Sequence, residues 1–119
     1  MYSVEVLDQF QNPRNAGELV EPDATVQLEN PACGDVLKLS VKVAGGRISE
    51  VRFLAKGCVP TIACASMLTQ LMNGRTLQET EAIGRDDIIS ALNGVPEAST
   101  HAATLAIDVL RRVLKSLTA

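Results

Sequence analysis

The chain has 119 residues and a mass of 12.7 kDa, enough for one compact domain over residues 1–119 and too little for two ordinary ones. Apolar residues make up 46% and charged residues 21%, while aromatics are 3% with no Trp, so the expected core is Val, Leu, Ile and Ala without a ring-lined pocket. The net charge of -3, the pI near 5.1 and the scattered Tyr2, Phe10 and Phe53 exclude a basic stripe or a base-stacking platform, so nucleic acid is not an expected partner; neither is a membrane, since no apolar run reaches the roughly 18 residues of a span.

Taken in order, Val4, Leu7 and Phe10 recur three apart between residues 2 and 12, with Val6 beside them. This spacing predicts a short amphipathic helix that ends at Asn12-Pro13 and packs as a lid or strap. Pro13 to Gly17 reads as a turn and Leu19 to Asp23 as a loop. Thr25 to Glu29 alternates as a first strand, Val36 to Val43 as a second, and Arg47 to Leu54 as a third after the turn Ala44-Gly45-Gly46. The expected sheet is an antiparallel three-stranded meander.

From Val59 the period changes to helical, with Ile62, Ala63, Ser66, Met67, Gln70 and Leu71 recurring up to the stop at Asn73-Gly74. Thr76 and Glu79 form a capping-box pair ahead of a short helix to Ala82, and Asp86 to Leu92 suggests another. A last helix is expected from Pro96 or Glu97 to about Leu117, its apolar face running through Ala98, Ala102, Leu105, Ile107, Val109, Val113, Leu114 and Leu117.

The chemistry concentrates at the rim of the predicted sheet. In Asn30-Pro31-Ala32-Cys33-Gly34-Asp35, Pro31 fixes its own φ and biases Asn30 towards extended geometry. Gly34 can adopt φ > 0, so the turn can aim Cys33 and Asp35 at one point. Cys58 falls between the third strand and the following helix, where unpaired N–H groups, the helix dipole and Lys56 favour a thiolate suited to metal binding or sulfur chemistry. The alternative is a cysteine simply buried at that junction. Cys64 points about 120° away from Cys58 on a helical wheel and, between Ala63 and Ala65, reads as a small core residue.

Three cysteines without an export signal suit a reducing, cytoplasmic setting in which thiols bind metal or react. His101, the one histidine, reads by itself as a surface or capping residue. Set beside Cys33, Asp35 and Cys58 it completes S, O, S and N donors, a count and type that a tetrahedral zinc site accepts and that iron-sulfur centres tolerate. Spacing alone does not establish the set, because its members lie in three separate places with no CxxC pair.

Four segments together resemble the iron-sulfur cluster assembly scaffold family of the IscU, NifU N-terminal and SufU type. They are Tyr2 to Gly17 with Asn12-Pro13-Arg14-Asn15, the Pro31 to Asp35 turn, Gly57-Cys58 through Ile62-Ala63 to Ser66, and Thr100-His101 through Leu105-Ala106. The resemblance implies an α+β fold, a three-stranded antiparallel sheet covered by helices in a two-layer sandwich. It implies a scaffold or carrier rather than an enzyme, one that takes sulfur from a cysteine desulfurase, holds a transient [2Fe-2S] cluster or zinc, and passes the cluster to apo acceptor proteins as a monomer or weak homo-oligomer.

By the same resemblance Cys33, Asp35, Cys58 and His101 hold the metal, and the Asp35 oxygen makes the site labile. The family's third cysteine position is Ala102, which cannot coordinate, and Asn93 to Glu97 departs from the Leu-Pro-Pro-Val-Lys segment with which some members engage a chaperone. Two alternatives stay open: a zinc-bound sulfur acceptor in which Cys58 or Cys33 takes persulfide, and a degenerate paralogue that serves only as an interaction module.

Overall fold

A computed structural model describes residues 1–31 and 33–118, so the Ala32 part of the Asn30 to Asp35 motif and the last residue lie outside the described residues. Helix α1 (Val4–Gln11) precedes strands β1 (Ala24–Asn30), β2 (Asp35–Ala44) and β3 (Arg47–Lys56). Then come α2 (Val59–Met72), α3 (Leu77–Glu81), α4 (Arg85–Ala91), a 3-10 turn (Glu97–Ser99) and α5 (Thr100–Thr118).

The strands form an antiparallel meander in the order β1-β2-β3, as the alternation predicted. Residues of one face, Leu37, Leu39 and Val41 on β2 with Ile48, Val51 and Phe53 on β3, are at most 3% exposed and face α2 and α5. The product is an α+β two-layer packing in which the helices cover one face of the sheet. A register shift at Lys42/Val43 lets Ile48 continue the inward set beside the tight Gly45-Gly46 turn. The outer edge of β3 is closed by the segment after α1: Asn15 O accepts from the Phe53 N–H, and the Gly17 N–H donates to Phe53 O.

Helix α1 forms where expected but turns a different face inward. Val6 and Gln9 are its buried residues, whereas Val4 is 79% and Leu7 40% exposed. The cause is a polar seam that apolar spacing does not reveal: Ser66 Oγ of α2 donates to Gln9 Oε1, and Gln9 Nε2 donates to Gln70 Oε1. The Arg14 N–H donates to Ser66 Oγ at 2.8 Å, which extends the seam beyond the helix. Ser3 caps α1 by accepting the Val6 N–H at 3.0 Å.

The capping box at Thr76 and Glu79 is present at the start of α3. Ala98 is exposed rather than buried, because residues 97–99 take the tighter 3-10 geometry, which resets the helical phase before α5; Ser99 turns inward instead. Among the described residues no helix is long and apolar enough to cross a membrane.

Candidate metal site

Three chain segments meet at one end of the sheet. The β1–β2 connection closes when the Gly34 N–H donates to Asn30 O at 2.7 Å, with Gly34 at φ +73°, a conformation that costs glycine nothing. This leaves Cys33 exposed at the tip and starts β2 with Asp35, which shares the parity of Leu37 and Leu39 and is therefore turned inward, 4% exposed.

The β3–α2 junction covers the carboxylate from above. Gly57 lies so close that a Cβ built there would sit 2.3 Å from Asp35 Oδ1, so any side chain displaces the carboxylate. Cys58 is the N-cap of α2, and its backbone N–H is among the groups that favour the charged Asp35 carboxylate. Thr61, one turn further and 1% exposed, donates its hydroxyl to Asp35 Oδ2 at 2.8 Å.

The third segment is the start of α5. His101 Nδ1 lies 3.1 Å from the Ala98 carbonyl, which can only accept, so Nδ1 carries the proton. Nε2 lies 3.5 Å from Asp35 Oδ2, where a protonated ring pairs with the carboxylate and a neutral one, its proton on Nδ1, has the Nε2 lone pair to offer a metal. The His101 side chain is 37% exposed and forms part of the wall of a cleft of about 460 Å³ between the end of β1 and the first turns of α5, which also includes Leu28, Pro31, Leu105 and Asp108.

Cys33 Sγ is 3.2 Å from Asp35 Oδ2, so Cys33, Asp35 and His101 offer ligand atoms that all lie within 4.8 Å of one another. Bond lengths of about 2.0–2.3 Å to sulfur, nitrogen and oxygen put the edges of a tetrahedron around one ion at about 3.3–3.8 Å. The 3.2 and 3.5 Å separations of Cys33 Sγ and His101 Nε2 from Asp35 Oδ2 are close to such edges, and all three atoms lie within 4.8 Å.

Of the four residues singled out in the sequence, Cys58 does not belong to this trio. Its Sγ sits 3.2 Å from Thr61 Oγ1, one hydroxyl away from Asp35. Cys64 is fully buried in the core, and Ala102, next to His101, is 1% exposed and packs in the core.

Electrostatics separate these groups further. Burial alone would push the Asp35 carboxyl up, but the Thr61 hydroxyl, the Cys33 thiol, the Cys58 amide and the nearby His101 outweigh it and hold Asp35 below its usual range. The Asp35 N–H favours a Cys33 thiolate, yet the Asp35 carboxylate, as hydrogen-bond acceptor and as charge, outweighs this and raises the Cys33 thiol. Burial pushes Cys64 up to about 12, so it is an inert thiol. The sequence reading missed the parts played by Gly57 and Thr61; the available signal was a hydroxyl three residues after an N-cap cysteine, at the position whose side chain turns back over the helix start.

Residues 1–119 match the family described as NifU-like N terminal domain. The chain belongs to that family. It is 41% identical over 114 residues to an iron-sulfur cluster assembly scaffold protein, IscU 1 of Archaeoglobus fulgidus, covering 96% of this chain and 74% of that one. To the protein of the same description from Escherichia coli K12 it is 38% identical over 117 residues, covering 95% and 91%. The N-terminal NifU-like protein of Brucella abortus superposes with a TM-score of 0.82 at 18% identity, covering 97% of this chain and 92% of that one, a likeness of fold.

Proposed function

We propose that the chain is an iron-sulfur cluster assembly scaffold, built as one domain over residues 1–119, whose cargo is held at Cys33, Asp35, Cys58 and His101. The observation that carries this reading is the convergence of a sulfur, an oxygen and a nitrogen donor within 4.8 Å of one another, with the Cys58 thiol one hydroxyl away. Family membership and relatives described as assembly scaffolds support it.

Each residue has a distinct part. Cys33 and Cys58 supply thiolates, His101 presents Nε2 because Ala98 O holds its Nδ1 proton, and Asp35 supplies a harder oxygen that binds iron less firmly than sulfur does. A site with one weak ligand at an open rim releases what it holds, as a carrier must. The cargo is a transient [2Fe-2S] cluster, and zinc can take the same donors. The implied partners are a cysteine desulfurase as sulfur source and apo proteins as acceptors, in the cytoplasm.

A mononuclear zinc reading, in which the protein accepts sulfur rather than a whole cluster, gains from one observation: position 102 offers only a buried methyl, so four donors remain, the number one tetrahedral ion needs. Anaerobic reconstitution with iron and sulfide, followed by absorption and Mössbauer spectra with zinc quantified in parallel, tests both. A [2Fe-2S] signature that disappears in Cys33→Ala supports the scaffold. Retained zinc with no cluster supports the sulfur-acceptor reading, and no retained metal of either kind refutes both.

A further inference from the structure

We propose that Thr61 is a positioning residue of this site: its hydroxyl fixes the Asp35 carboxylate as a ligand and holds the Cys58 thiol in reserve, so that Cys58 is the last of the four side chains to engage the metal and the first to leave. The inference rests on the functional reading above and deepens it. Thr61 is no ligand itself, and nothing in the pattern Cys58-Val59-Pro60-Thr61 marks it as one.

Thr61 Oγ1 has one proton, which it gives to Asp35 Oδ2 at 2.8 Å, so the 3.2 Å contact with Cys58 Sγ is one in which the thiol donates to an Oγ1 lone pair. Asp35 Oδ2 thus meets three groups: the Thr61 hydroxyl, the Cys33 thiol at 3.2 Å and His101 Nε2 at 3.5 Å.

Two of those three are metal ligands and redirect to the ion when it arrives. The Thr61 bond is the one that remains through loading and unloading. Its geometry is well kept, because the side chain is 1% exposed and a β-branched residue in a helix has few χ1 choices. Such an outer partner orients the carboxylate and lowers the cost of ordering it when metal binds.

Cys58 is placed differently. To coordinate it must give up Oγ1, and on release it has that oxygen to return to. The site therefore has three ligands already gathered and a fourth that exchanges between metal and hydroxyl, which is the behaviour a transient carrier requires.

The test uses cobalt(II), added anaerobically to the folded protein, with thiolate-to-cobalt charge transfer and d–d absorption as the readout. Thr61→Val removes the hydroxyl at nearly constant volume and is expected to weaken cobalt binding by about 10- to 100-fold, whereas Thr61→Ser keeps the hydroxyl and should stay within about threefold of the wild type. The d–d bands of Thr61→Val should also shift, since its carboxylate is no longer held.

A merely structural Thr61 predicts the opposite split: a lower melting temperature with unchanged cobalt affinity and spectrum in the folded fraction. If Thr61→Val does not fold, Thr61→Ala carries the same comparison. Wild-type bands that persist with the same affinity in the hydroxyl-less variant overturn the role of Thr61 and leave the site standing. A wild type with no charge-transfer band overturns the site and this inference with it.

Discussion

Cys58 and Cys64 belong to one segment of chain, six residues apart, and have almost nothing in common. Cys58 caps α2 at an exposed corner, against Thr61 and close to Asp35; Cys64 lies in the middle of the helix, fully enclosed by the core. The first is exposed beside a hydroxyl, whereas the second pays a desolvation penalty that raises its thiol to about 12. Burial and neighbours, rather than residue type, divide a chemical thiol from a packing one. The same contrast runs along the inward row on β2, where Asp35 at the rim meets donors and Leu39 four positions on is enclosed by the core.

The strongest way to break that contrast is to remove thiols one at a time. Cys33→Ala is expected to abolish stoichiometric metal retention, Cys58→Ala to reduce it severely, and Cys64→Ser to leave it at the wild-type level, all by elemental analysis of anaerobic preparations. Equal metal in the three variants would show that position makes no difference.

Next in size is Gly57→Ala. The added methyl would meet Asp35 Oδ1 at 2.3 Å, so the carboxylate must swing away from Thr61 and His101. Metal affinity should fall by about 10- to 100-fold with the helix content unchanged, as measured by competition with a chromophoric chelator and by circular dichroism. Unchanged affinity would mean that Asp35 does not act from where the structure holds it.

A smaller effect sharpens the buried side of the comparison. Cys64 holds its proton to about 12 when folded against an ordinary value of 9.0, so its contribution is full below pH 9. Between those values the unfolded chain loses the proton and the folded one does not, so stability declines with rising pH by up to about 1.4 kcal/mol per unit from this one group. Cys64→Ala should flatten that alkaline limb in urea denaturation. The same slope in the variant would contradict a buried, high-pKa thiol.

The smallest expected effect is on α1. Val4→Ser, at a residue 79% exposed, should change stability by no more than about 0.5 kcal/mol, whereas Gln9→Ala strands Ser66 and should cost about 1–3 kcal/mol. Reversed magnitudes would restore the apolar face that the sequence pattern suggests.

How much could be read in advance follows from the range of the signals. Strict alternation from Leu37 to Val43, and a looser one in Arg47 to Leu54, marks strands because side-chain period is local, and Thr76 with Glu79 marks a helix start for the same reason. The inward face of α1 escaped because Gln9 is held by Ser66 and Gln70, partners 57 and 61 residues away, and no window on the sequence contains them. At the site, Cys33 and Asp35 are neighbours in sequence and their shared aim was legible. His101 could be read only as the nitrogen that completes the donor set with Cys33, Asp35 and Cys58, a choice the family resemblance then supported, since nothing near it names a ligand. The standing of Cys58 was only half legible: its place at the helix start could be read, but its Thr61 partner belongs to the folded helix and changes how near it comes to the other donors.

The most direct test of the central claim is X-ray absorption at the zinc edge of the zinc-loaded protein. Four shared donors predict two sulfurs at about 2.3 Å and two nitrogen or oxygen ligands at about 2.0–2.2 Å, with one sulfur lost from the zinc that Cys58→Ala still holds. A first shell of oxygen and nitrogen alone, unchanged by Cys33→Ala and Cys58→Ala, would contradict it.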